Sequence, residues 1–111
     1  MNRLHFSNFN LAGFTYWEGA VVFCQLKVGS LLRFERELDN RYDPKAIAIY
    51  FNKYKLGYIP RSCNEEIAKL CEQGYSRIFD VRINRISADM SPEDQIGVVV
   101  HIKNKDILKN D

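Results

Sequence analysis

Ala46-Ile47-Ala48-Ile49-Tyr50-Phe51 is followed by Asn52-Lys53-Tyr54-Lys55 and then by Leu56-Gly57-Tyr58-Ile59. In the first of these runs Ile47, Ile49 and Phe51 alternate with small or polar-tipped residues, the period of two by which a strand buries one face. The polar tetrad then turns the chain and the last run is apolar again, so the stretch reads as a β-hairpin. Immediately upstream, Asp39-Asn40-Arg41-Tyr42-Asp43-Pro44 is dense in turn formers, and Pro44 biases Asp43 toward an extended backbone. Before that loop Leu32, Phe34 and Arg36 alternate with Leu31, Arg33 and Glu35, a strand entered through a turn at Val28-Gly29-Ser30. Residues 11–17, rich in aromatic and small apolar side chains and closed by Glu18-Gly19, read as the first strand running into a turn. Residues 20–26 are apolar but too short to classify by period.

Downstream, helix signals occur once. Ser62-Cys63-Asn64-Glu65 fits a capping box, and Cys63, Ile67, Leu70 and Cys71 recur on one helical face. Gly74 suits the left-handed residue that ends such a helix, which is predicted over residues 62–72. Phe79, Val81 and Ile83, and later Ile96, Val98, Val100 and Ile102, mark two long strands. Their link, residues 87–95, holds Pro92 and three acids and reads as an exposed, mobile loop. Residues 104–111 are mostly charged and are expected to fray. Strands, one helix, then strands, without βαβ alternation, predict a mainly β fold: a six-stranded antiparallel β-barrel capped by a helix.

The chain has 111 residues, 46% of them hydrophobic and 13% aromatic, enough for one self-sufficient core and against disorder. No run approaches a membrane span, and the N-terminus has no apolar signal segment, so the expectation is a cytoplasmic protein without membrane contact. An odd number of cysteines, Cys24, Cys63 and Cys71, points to reduced thiols without a disulfide. His5 and His101 lack Cys/His partners at metal-chelating spacing, and neither a Gly-x-Ser-x-Gly elbow nor a Walker-type glycine loop occurs. The sequence therefore predicts a non-enzyme without metal or cofactor.

A formal net charge of +2 does not by itself argue for nucleic acid. Its distribution says more: residues 1–55 hold eight Lys/Arg against five Asp/Glu, and 56–111 hold eight against nine. Within the basic stretch from Arg33 to Arg61, Tyr42 sits in a loop where no period calls for burial, and Tyr16 and Trp17 lie beside Gly19. Exposed rings with nearby cations stack bases and hold phosphates in single-strand binders. Rings at these places also serve to fill barrel ends. The binding reading expects Tyr16 and Tyr42 to be exposed and to line one groove with those cations.

The segment Asn40-Arg41-Tyr42-Asp43-Pro44-Lys45-Ala46-Ile47-Ala48-Ile49, with Leu56-Gly57-Tyr58-Ile59-Pro60-Arg61, resembles the signature of the HIRAN domain. Leu11-Ala12-Gly13-Phe14 before Tyr16-Trp17 is similar to that family's opening strand, and residues 28–37 to its second-strand approach. The match covers residues 9–103, leaving 1–8 as an N-terminal extension and 104–111 as a polar tail. The resemblance implies an oligonucleotide-binding-like barrel that captures 3′ ends of single-stranded DNA, found at the front of helicase-like chromatin and repair ATPases. It makes Tyr16 and Tyr42 the stacking rings and Asp43 the acceptor of the 3′ hydroxyl. Asn40 and Lys45 flank the loop and position backbone, and Tyr58 stands where the family places a histidine or a ring. Trp17 and Arg61 complete the expected nucleic-acid-binding set. A carboxylate accepts an O–H but repels a 3′ phosphate, which agrees with that role; an aspartate before proline also commonly caps its own turn.

Thr15 departs from the pattern, because DNA-binding members carry an arginine there. No ATPase motor or RING accompanies the domain in this sequence, so their activities do not transfer. The implied partner is a single-stranded DNA 3′ end, with other DNA-processing proteins as further partners. The alternative is a protein-interaction or accessory barrel domain that has lost DNA binding.

Overall fold

The computed structural model describes residues 4–103. Its six strands are β1 (Leu4–Asn10), β2 (Leu31–Arg36), β3 (Ile47–Phe51), β4 (Tyr54–Tyr58), β5 (Phe79–Ile86) and β6 (Ile96–Ile102). All pair antiparallel in one sheet of order β1-β6-β5-β2-β3-β4. The 46–59 hairpin forms with Ala48 opposite Tyr58 and Phe51 opposite Tyr54, and Asn52 takes the left-handed conformation at its turn. Ile47, Ile49 and Leu56 from the hairpin are fully buried with Ile83, Ile96, Val98 and Val100. Burying each such side chain contributes about 1.5–3 kcal/mol.

Three expectations are corrected. The first strand is not residues 11–17 but Leu4–Asn10, so residues 4–8 belong to the sheet rather than to an extension. A bulge between His5 and Ser7 breaks the alternation, which lets Phe6 and Phe9, three apart, both pack on the core. Residues 14–16 form a 3₁₀ turn, entered at Gly13 with φ 71°, and Leu11 and Phe14 point inward at that tighter spacing.

The capping box is also absent. Residues 61–63 make a 3₁₀ turn, and the helix α2 runs from Glu65 to Glu72. Asn64, at its N-cap, donates its side-chain amide to Asp43 instead of capping the helix. Ile67 and Ala68 are buried, and Leu70, Cys71 and Cys63 pack against the core as the apolar stripe requires. Gly74 ends the helix as expected: its N–H donates to the Cys71 carbonyl and that of Tyr75 to Leu70. A four-residue helix, α1 (Gly19–Val22), accounts for part of the unclassified apolar run.

Nor does the sheet close into a barrel. β2 meets β5 through only two residue pairs, Leu31–Arg82 and Leu32–Val81, and then diverges along β3. The outer strands β1 and β4 are not paired with each other. Among the described residues they are linked through the chain just after β1, where Ala12 forms an isolated bridge to Tyr58. There the Ala12 and Tyr58 amides each donate to the other's carbonyl at 2.9 Å, and the Leu11 amide donates to Ile96. Residues 88–93 are exposed, but the ends of the loop are half-buried and tied down: Ser87 N–H donates to Gln95 O, and Arg85 reaches both Asn10 and the Asp94 carbonyl. The charged tail at 104–111 lies outside the described residues.

Candidate nucleic-acid interface

A cleft of about 520 Å³ opens beside the Ala12–Tyr58 bridge. One wall is the loop joining β2 to β3. Its backbone is held from within: Asn40 Oδ1 accepts from the Tyr42 and Asp43 amides, and Asp43 Oδ1 accepts from the Lys45 amide at 2.9 Å. Arg36 donates to the Pro44 and Ala46 carbonyls and pairs with Glu72 at 2.5 Å, which clamps the loop's far side to α2. Held in this way, the loop projects the Tyr42 ring into solvent with 78% of its surface exposed.

The second wall is the 3₁₀ turn after Gly13 with the edge of β4. Trp17 meets Tyr58 edge-on at 5.8 Å between ring centroids. The Lys55 ammonium lies 3.8 Å from the Trp17 centroid and 4.5 Å from that of Tyr58. It also donates to the Tyr58 oxygen at 2.7 Å and forms an ion pair with Glu37. Tyr58 donates in turn to Glu37 at 2.6 Å. Burial works against the Glu37 charge, but hydrogen bonds from Lys55, Tyr58 and Asn40 outweigh it and hold its pKa below the usual glutamate value. Burial likewise opposes the Lys55 charge, and its bonds to Glu37 and Tyr58 outweigh that and leave its pKa raised. The Tyr58 hydroxyl is pushed up by burial and by its bond to the Glu37 carboxylate.

Of the residues expected at the site, Trp17, Asn40, Tyr42, Asp43, Tyr58 and Arg61 line this cleft. Tyr16 and Lys45 do not. Tyr16, in the same turn, is 84% exposed, and Lys45 pairs with Glu65 at 3.4 Å. Asp43 caps its own turn, the structural role weighed from the sequence, and its other oxygen accepts from Asn64 at 2.8 Å with Arg61 Nε at 3.7 Å. Arg61 additionally donates to the Tyr42 carbonyl. A carboxylate has about four acceptor sites, so these contacts leave capacity for a further donor.

Sequence reasoning missed Glu37, Asp39 and Arg41 among the lining residues, and Lys55 behind them. Glu37 was within reach, since it continues the outward parity of Arg33 and Glu35 along β2. Lys55 was not, because a register shift in the β3–β4 pair brings it to the same face as Tyr58 three residues on. The basic stretch did not become a basic groove. Arg33 pairs with Glu35, Arg36 with Glu72 and Lys55 with Glu37, and of the two cations that line the cleft among the described residues, Arg41 and Arg61, the second faces Asp43.

A six-stranded antiparallel β domain with an aromatic cleft at one sheet edge defines a small binding module. The model of the HIRAN domain matches residues 4–103, and the chain belongs to that family, whose members are binding modules, generally for nucleic acid. Two solved structures are similar to it. A protein from Lactobacillus plantarum is 24% identical with a TM-score of 0.75, over 90% of this chain and 94% of its own. The HIRAN domain of human HLTF is 13% identical with a TM-score of 0.66, over 94% of this chain and 80% of its own. No curated protein matches the chain. Among the described residues no helix is long and apolar enough to cross a membrane.

Proposed function

We propose that the chain binds the 3′ end of a DNA single strand in the cleft between Tyr42 and the Trp17–Tyr58 wall. The observation that carries this reading is the placement of Asp43, whose carboxylate lines the cleft directly after the exposed Tyr42 ring. A terminal base stacks on Tyr42, with Tyr16 available to a neighbouring base outside the cleft, and each stacked base contributes about 1–3 kcal/mol. Asp43 accepts the terminal hydroxyl, and its charge rejects a phosphate at that position. Asn40 keeps the loop in shape, Lys45 serves through its backbone N–H, and Arg61 supplies the nearest cation to an incoming strand.

Fluorescence anisotropy with single-stranded oligonucleotides ending in a 3′ hydroxyl or a 3′ phosphate tests this. A hydrogen bond to a charged acceptor contributes about 1.5–3 kcal/mol, so the hydroxyl end should bind about tenfold or more tightly. Asp43→Asn should narrow that ratio. An equal affinity of the wild type for both ends would defeat the end-recognition reading.

A second reading, a domain that binds protein and has lost DNA, is favoured by the charges of the cleft. Glu37, Asp39 and Asp43 line it against Arg41 and Arg61, and Thr15 offers no guanidinium. Failure to bind any oligonucleotide in the same titration would select it.

A further inference from the structure

The β4 wall and the β2–β3 loop are far apart in sequence, yet one side chain connects them. We propose that Lys55 is a positioning residue: it holds Trp17 on one side and Glu37 on the other, and so sets the spacing of the two walls between which a strand end lies. This rests on the cleft being the binding site.

The connection can be followed atom by atom. The backbone around Lys55 is stitched to the Trp17 turn by two hydrogen bonds, Lys55 N–H to Glu18 Oε1 at 3.0 Å and Glu18 N–H to Lys55 O at 2.9 Å. Its ammonium faces the Trp17 ring and pairs with Glu37. Glu37 Oε1 accepts from Tyr58 and, at 3.2 Å, from the Asn40 amide. Asn40 Oδ1 in turn caps the amides of Tyr42 and Asp43, at 2.9 and 3.0 Å. A continuous polar chain therefore runs from Trp17 to the residues that would hold a strand end.

Its position also argues against the obvious alternative, that Lys55 is a phosphate contact. The side chain is 13% exposed, and that of Glu37 is 21% exposed. The ammonium is already bonded to a carboxylate and a phenol oxygen and lies over two rings, so its charge is neutralised inside the wall. Unlike an exposed ion pair, this one is screened little by salt.

Lys55→Met keeps the stem and removes the charge, and Lys55→Arg keeps the charge and the cation–ring contact. Trp17 is the chain's one tryptophan, so tryptophan-selective emission and the tryptophan bands of the near-UV circular dichroism, red-shifted from those of the six tyrosines, report on this wall. Amide exchange at Tyr42 and Asp43 reports on the other. In the Met variant the Trp17 signals should change, and the two amides should exchange about tenfold faster as the loop opens locally. Affinity for an oligothymidine with a 3′ hydroxyl should fall about tenfold, and the Arg variant should restore all three.

Unmoved Trp17 signals and exchange rates in the Met variant would overturn the proposal, as would weakened binding with both unmoved, the result expected of a phosphate contact. A wild type that binds no oligonucleotide overturns the end-binding reading instead, and the spectroscopic and exchange results still decide the role of Lys55. If the Met variant does not unfold cooperatively, Glu37→Gln supplies the same measurements, with the same result expected and the same result overturning it.

Discussion

At the scale of single residues, the wall of the cleft is a charge pair with a definite pH range. Glu37 titrates below the ordinary glutamate value, so the pair's contribution to stability is complete above about pH 4.3 and is lost as pH falls through the lowered pKa. Lys55 titrates above the ordinary lysine value, so on the alkaline side the contribution is complete below about pH 10.4 and is lost as pH rises through the raised pKa. Between those limits it is flat. Urea unfolding over a pH series should show an acid-side decline in the wild type that is shallower in Glu37→Gln. Tyr42 and Asp43 were legible as cleft-lining candidates at this scale, because they stand in a loop that no burial pattern claims, whereas the expected place of Tyr16 in the same groove was not met. What could not be read is how each cation is used: a run of Arg and Lys says nothing about which carboxylates the fold brings opposite them, and Glu35, Glu37, Glu65 and Glu72 take four of them.

Among the elements, β2, β3, β5 and β6 followed from alternation, since each buries one face and period two leaves a clear trace, whereas β4 begins at Tyr54, inside the stretch 52–55 expected to turn, because the turn needs only Asn52 and Lys53. β1 escaped because its bulge removes that trace, and the helix start was misplaced because Asn64 gives its amide to Asp43 across 21 residues. Long-range partners compete with local capping, and a sequence shows only the local half of that competition. Gly57 illustrates what the hairpin requires. It sits at φ 154°, and a Cβ there would come within 2.3 Å of the Ala12 carbonyl oxygen. Gly57→Ala should therefore strain β4 and push the Ala12 segment away, at a cost of about 2–3 kcal/mol read from the shift of the urea midpoint. A change of a few tenths would mean that the bridge is loose enough to absorb a methyl group.

For the molecule as a whole, charge is spread rather than gathered, and binding should reflect that. With Arg41 and Arg61 as the cleft's cations, about two phosphates are neutralised, so log K against log salt for a single strand should have a slope of about −1.4. A slope several times steeper, measured by anisotropy from low to moderate salt, would place the strand on a different surface. The sheet has its own consequence at this scale. Among the described residues its two outer strands are joined through one bridge, Ala12 to Tyr58, while each pair of neighbouring strands shares a ladder. The bridge closes a loop of 46 residues, and the β1–β6 ladder from which the Ala12 segment leaves spans 87 residues at its near end, so holding this edge in place costs chain entropy that few local contacts offset. A ligand seated in the cleft beside this bridge would act as a keystone, stabilising the joint that forms its own site.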